Sequence, residues 1–251
     1  MIYRTTALYE TDTFLLAARE QPFWVAGGVS ALVWGFWSVK ARSIRVPLFA
    51  GFFIFTAGIV GFATIQPEDS TRACIFAGLA GIGFGAPLVL IIAGIQLVTP
   101  HTLIATGTSL AIASRAVSSS VFTAIYAASL TERLEPNIIS YVGKAALSAG
   151  LPATSVQAFV AALASDNTAA LTKIPGVTPS IIEVSVNALK QAFADSIRVV
   201  FIIAAPFGAL ACLLCFFISD LSSEMDYRVD APIEDLHARR RLAKHGAQNS
   251  V

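Results

Sequence analysis

From Ser70 to Thr131 the chain carries no Asp or Glu, and Arg72 and Arg115 are its only Lys or Arg residues over that stretch. A surface in contact with water cannot be built from so long a run with so few charges. Ordinary soluble domains are about 25% charged, whereas this chain is 13% charged and 55% hydrophobic. Its mean hydropathy of +0.70 agrees. The expected fold class is therefore all-α, a polytopic bundle of membrane helices.

A bilayer core about 30 Å thick needs roughly 20 mostly apolar helical residues. Five segments meet that length: residues 22–39, 46–65, 73–98, 103–130 and 197–219. The fourth is rich in Ala, Ser and Thr and holds Arg115, which predicts a span buried among other helices. The implied organisation is a tail or remnant of a preceding span over residues 1–21, four spans over 22–130, an external helical segment over 131–196, a last span over 197–219 and a cytoplasmic tail over 220–251. Residues 1–21 include Arg4, Glu10, Asp12, Arg19 and Glu20 and lack the long apolar core of a cleavable signal.

Short basic loops stay in the cytoplasm. Lys40, Arg42 and Arg45 lie between spans one and two, and "HARRRLAKH" follows the last span, so both clusters fall on the same side once five spans alternate. In the external segment Pro136 is expected to open a helix ending near Gly150, and Thr178 followed by Pro179 has the form of an N-cap with proline at the first helical position.

Within "AGLAGIGFGAPLVLIIAGIQ", residues 77–96, Gly81, Gly83 and Ala86 have the G-x-G-x-x-A spacing of a dinucleotide turn. Such a turn needs a preceding strand and an acidic residue about twenty positions on, but the run is apolar throughout and the next acid is Glu132. Ala77, Gly81 and Gly85 instead recur every fourth residue, which permits close helix packing in a membrane. Pro87 adds an expected kink, and the helix expected to approach is the following, Arg115-bearing span.

Arg115 is the sharpest single signal, because a mid-span charge costs about 2.5 to 3.5 kcal/mol even on insertion scales and normally faces a cavity or a partner. No acid lies in the four spans around it. Gln96 and Tyr126 are further polar candidates for a substrate path, although an interhelical hydrogen bond is the commoner role for such side chains. Cys212 and Cys215 form a C-x-x-C in a lipid-like run without the further ligands a zinc site requires. His101, His237 and His245 are isolated, so no metal and no cofactor are expected. No Walker loop, serine elbow or H-E-x-x-H helix occurs, which argues against an enzyme. A net charge of +1 gives no global field for nucleic acid, and a basic tail beside a span suits lipid head groups better.

The run "GLAGIGFGAPLVLIIAGIQLVTPHTLIATGTSLAIASRAVSSSVFTAIYAASL", with the external "GLPATSVQAFVAAL" and "IPGVTP" segments, resembles the C-terminal half of fungal major facilitator transporters of the trichothecene efflux pump type. The resemblance covers about residues 22–236. It implies the last five of fourteen spans, a multi-pass protein of the plasma membrane, and proton-coupled efflux of a toxin or drug. It also makes the loop after span one a degenerate counterpart of the facilitator gating loop, with Gly35 and Lys40 matching, Val39 where the motif has Asp, and Arg42 and Arg45 as further candidates.

Facilitators bind substrate between two halves, so five spans imply an incomplete C-terminal portion whose partners are a small-molecule substrate, the lipid bilayer and a missing N-terminal half or partner membrane chain. Siderophore-iron uptake is the alternative transport reading. A non-transporting assembly or regulatory subunit is the alternative of another class.

Overall fold

The computed structural model describes residues 13–67, 69–164, 171, 174–219, 221, 222 and 225. Its helices are α1 (Thr13–Ala41), α2 (Arg45–Phe62), α3 (Ser70–Val98), α4 (Ile104–Ser148), α5 (Ala153–Ala164) and α6 (Pro179–Cys215), with a 3₁₀ turn over His101–Leu103. All but α5 are long and apolar enough to cross a membrane, and no strand occurs among the described residues. The protein is an all-α, multi-pass membrane bundle. The basic tail motif with His237 and His245 lies outside the described residues.

Three boundaries differ from the sequence expectation. Residues 13–21 belong to α1, because the Leu, Ala, Arg, Glu and Gln of that run are good helix formers and Pro22 sits inside the helix. Pro136 likewise lies within α4 and does not open a new helix. The last span also starts early, since α6 begins at Pro179, where Thr178 Oγ1 accepts from the Ile181 N–H at 3.4 Å. At 1.5 Å per residue, the 45 residues of α4 extend about 67 Å, more than twice a hydrocarbon core. The helical cap is thus built mainly from prolonged spans. Gly150, at φ 96°, ends α4 by letting the Leu151 and Gly150 N–H groups reach the Ala146 and Leu147 carbonyls, both at 3.0 Å. Phe159, Val142, Ala146 and Ile181 are buried together in the cap's own core.

The bundle is organised around α3, which packs along both α1 and α2, while α6 packs along α2 and α4. The contact is backbone to backbone. A Cβ on Gly85 would lie 2.7 Å from the Ala31 nitrogen and 2.8 Å from the Gly27 carbonyl oxygen; one on Gly83 would lie 2.6 Å from Phe55 Cα and 2.7 Å from the Gly51 oxygen; one on Gly81 would collide with the Phe23 carbonyl. The glycine face therefore meets α1 and α2, not the Arg115 span as expected. The reason is reciprocity: α1 answers with Gly27, Ser30 and Ala31, and α2 with Gly51 and with Gly58 against Ala80. Trp34 Nε1 adds a hydrogen bond to the Ile82 carbonyl at 2.8 Å, close to the carbonyl that Pro87 leaves without a helical donor.

Contrary to the sequence expectation, α4 is not buried among the helices of this chain, and no residue of its most apolar stretch is buried. It lies against α6 and, more lightly, α3. Three of its hydroxyls turn back onto the helix, Ser109, Ser114 and Ser120 donating to the carbonyls of Ala105, Ala111 and Ala116 at 2.8–3.0 Å.

At the end of the bundle away from Lys40, a polar layer ties the cap to the spans. Arg198 Nε donates to the Ala63 carbonyl at the C-terminus of α2 at 2.9 Å, and its Nη1 pairs with Asp195 at 3.3 Å. Asp195 also accepts from Tyr141 of α4 at 3.1 Å, and Asn137 donates to the buried Ser196 at 2.9 Å. Gly83→Ala should cost about 1–3 kcal/mol through overpacking, whereas Gly78→Ala, with open space at its Cβ, should gain up to about 1 kcal/mol. Thermal unfolding in detergent would separate them, and equal midpoints would contradict the packing.

Candidate functional site

Helical spacing builds an aromatic cavity between α2, α4 and α6. Phe52, Phe55, Ile59 and Phe62 recur on one face of α2; Phe201, Ala204, Phe207, Gly208 and Ala211 do so on α6; and Ser119, Phe122 and Tyr126 follow on α4. With Phe23 and Ala80 they enclose about 510 Å³, a size suited to a drug-like molecule. Phe62 and Phe201 stack at 5.1 Å and 14° at one end, while Phe122 and Phe207 meet edge to face at 4.9 Å and 73°. The Arg198 bond to Ala63 lies one residue beyond Phe62, so the polar layer closes the chain next to this end of the cavity.

No lining side chain is charged, and only Ser119 and Tyr126 carry polar side-chain groups. An ion entering this cavity would lose water without gaining a counter-charge, a cost that excludes it unless it neutralises. An uncharged molecule with aromatic or aliphatic bulk gains burial and ring contacts, and one or two hydroxyls or carbonyls on it can be met by Tyr126 and Ser119.

The three path candidates from the sequence fall in separate places. Tyr126, half-buried, lines the aromatic cavity. Arg115 is exposed and lines a cavity of about 330 Å³ between α3 and α4 with Pro87, Ile91, Ile92, Ser114 and Ser118, and it has no hydrogen-bond or ion-pair partner among the described residues. Gln96 donates to Thr108 Oγ1 at 3.3 Å, joining α3 to α4, and lines a third cavity with Gly35 and Arg42. Lys40 is exposed near that cavity, and the Arg45 guanidinium sits 5.5 Å from the Phe216 ring centre. Gly81, Gly85 and Pro87 belong to the packing of α3. Cys212 and Cys215 are free thiols, and no cluster of three His, Cys, Asp or Glu occurs among the described residues. The phenylalanine stripes of α2 and α6 went unread in the sequence, although their three- and four-residue spacing was the available signal.

The family model described as "Fungal trichothecene efflux pump (TRI12)" matches residues 9–249. The chain belongs to that family. Among curated proteins, it is 30% identical over 167 residues to the MFS-type transporter prx5 of Penicillium rubens, covering 66% of this chain and 30% of the relative. It is 21% identical over 219 residues to the trichothecene efflux pump TRI12 of Fusarium sporotrichioides, covering 86% of this chain and 36% of the relative. The chain spans about a third of the length of these relatives. No solved structure matches it.

Ala204→Phe should fill the aromatic cavity and weaken binding of an uncharged apolar fluorophore at least tenfold, about 1.4 kcal/mol, with helical circular dichroism unchanged. Tyr126→Phe should cost no more than the roughly 0.5–1.5 kcal/mol of one hydrogen bond. Equal binding by the Ala204→Phe protein would rule the cavity out as the binding site.

Proposed function

We propose that this chain is the C-terminal portion of a secondary transporter that exports an uncharged, largely apolar small molecule across the plasma membrane, with the aromatic cavity as its share of the substrate path. The charge-free wall of that cavity is the observation that carries the reading. Membership of an efflux pump family supports the outward direction, and the proton as coupling ion is taken from the family resemblance. Nothing in the aromatic cavity resembles an active site: it offers no nucleophile with an adjacent base.

The rest of the path is supplied by further spans, an N-terminal half or a partner membrane chain, because facilitators enclose substrate between two halves and the relatives are about three times as long as their matched parts. The same partner accounts for α4. A lone exposed arginine at mid-span is costly in lipid, so Arg115 faces the covering half or the water-filled path between halves, where it can meet a carboxylate or an anionic group of the cargo. An anionic siderophore complex is the cargo that Arg115 would favour and the aromatic cavity would reject.

The test uses the complete transporter in reconstituted vesicles. Phe122→Ala and Phe207→Ala should each raise the half-saturating concentration of a neutral terpenoid or aromatic cargo about tenfold, by loss of roughly 1.4 kcal/mol of wall contact. Arg115→Ala should abolish transport while leaving membrane insertion intact. Normal transport by Arg115→Ala would remove that residue from the mechanism. Transport of an anionic siderophore complex, with the phenylalanine variants unaffected, would replace efflux of a neutral molecule by the uptake reading.

A further inference from the structure

The end of the bundle that carries Lys40 holds a cavity unlike the aromatic one. About 510 Å³ in volume, it is walled by apolar groups that include Val39, Leu90 and Leu97, and it also brings Ser38, Arg42 and Gln96 to its lining. Trp37 is partly exposed and stacks on Trp34 at 5.4 Å, one helical turn before Lys40. Aromatic rings followed by cations mark the level of the lipid head groups. The apolar walls of this cavity therefore adjoin the acyl region, and its basic edge lies at the phosphate level.

Arg42 is held there at a conformational cost. Its φ is 48°, and it is the only non-glycine residue at positive φ among the described residues. It occupies the left-handed position just after α1 where glycine is the usual choice, and where a side chain crowds the backbone. The turn is locked from both sides: the Ser43 N–H reaches the Ser38 carbonyl at 3.2 Å, and the buried Ser38 hydroxyl donates to the Ser43 carbonyl at 3.0 Å. A guanidinium in a strained but fixed turn, beside an apolar groove at head-group depth, suits a phosphodiester with attached acyl chains. Phosphate oxygens accept guanidinium N–H groups, and Gln96 adds an amide donor on the same lining.

We infer that this cavity is a binding site for an anionic phospholipid, with the phosphate on Arg42 and an acyl chain along Val39, Leu90 and Leu97. The occupant is a bilayer lipid and not free phosphate, because an ion alone would leave the apolar walls unfilled. The site is independent of the aromatic cavity, and its test needs no transport.

The complete protein, purified in detergent, is titrated with phosphatidylserine, phosphatidylcholine and inorganic phosphate, following the unfolding midpoint and the lipid retained in mass spectra. Phosphatidylserine should raise the midpoint and remain bound, whereas phosphatidylcholine and phosphate should do so at least tenfold more weakly. Arg42→Gln should weaken phosphatidylserine binding at least tenfold. Arg45→Gln, whose guanidinium is engaged with Phe216, should change it little. Ala93→Phe, which narrows the groove without touching a charge, should also weaken it. Equal losses in Arg42→Gln and Arg45→Gln would reduce the effect to diffuse surface charge and overturn the site. A phosphate response matching that of phosphatidylserine, or no selective response at all, would overturn it too.

Discussion

The close approach of α3 to α1 and α2 is the contact on which the rest of the bundle depends. In lipid there is no hydrophobic gain from pressing two apolar helices together, so dispersion and short-range polar contacts must hold them. Glycine and alanine on α3, met by glycine, serine and alanine on its neighbours, bring backbones within direct contact. That spacing sets the position of α2, and α2 in turn carries both the phenylalanine wall and the Ala63 carbonyl that receives Arg198. A bulkier α3 would displace the aromatic cavity along with the helix.

The bundle separates its chemistry by depth. Its middle holds a cavity without charge; one end has the Arg198, Asp195 and Tyr141 layer; the other has Lys40, Arg42 and Arg45. This arrangement follows from solvation. Charges at either end retain water or lipid head groups, whereas a charge among the phenylalanines would have neither. Arg115 breaks the pattern. It stands between α3 and α4 on the most exposed helix, where it has no hydrogen-bond or ion-pair partner among the described residues, as suits a face that a covering half would meet.

Much of this was legible in the sequence because membrane helices declare themselves by length and apolar content. The absence of acids from Ser70 to Thr131 and the Thr178-Pro179 start both report local physics. What was not legible depended on partners. The spacing of Gly81 and Gly85 showed that a helix would approach but not which one; the answer lay in Gly27, Ser30 and Gly51, whose small size was not matched against it. Pro136 suggested a boundary, yet a long helix absorbed it. Arg198 and Asp195 drew no notice as a pair, because the carbonyl of Ala63 that completes their network is distant in sequence. The phenylalanines of α2 went unread because the cavity they line exists only where α4 and α6 pack beside them.

The central claim is that a neutral apolar molecule occupies the cavity formed by α2, α4 and α6. Photo-crosslinking of the complete protein with an uncharged aromatic diazirine, followed by peptide mapping, tests it most directly. Labels concentrated on Phe122, Tyr126 and Phe207, and displaced by excess unlabelled compound, are the predicted result. Displaceable labelling confined to the Arg115 segment, with those three residues unmarked, would contradict it.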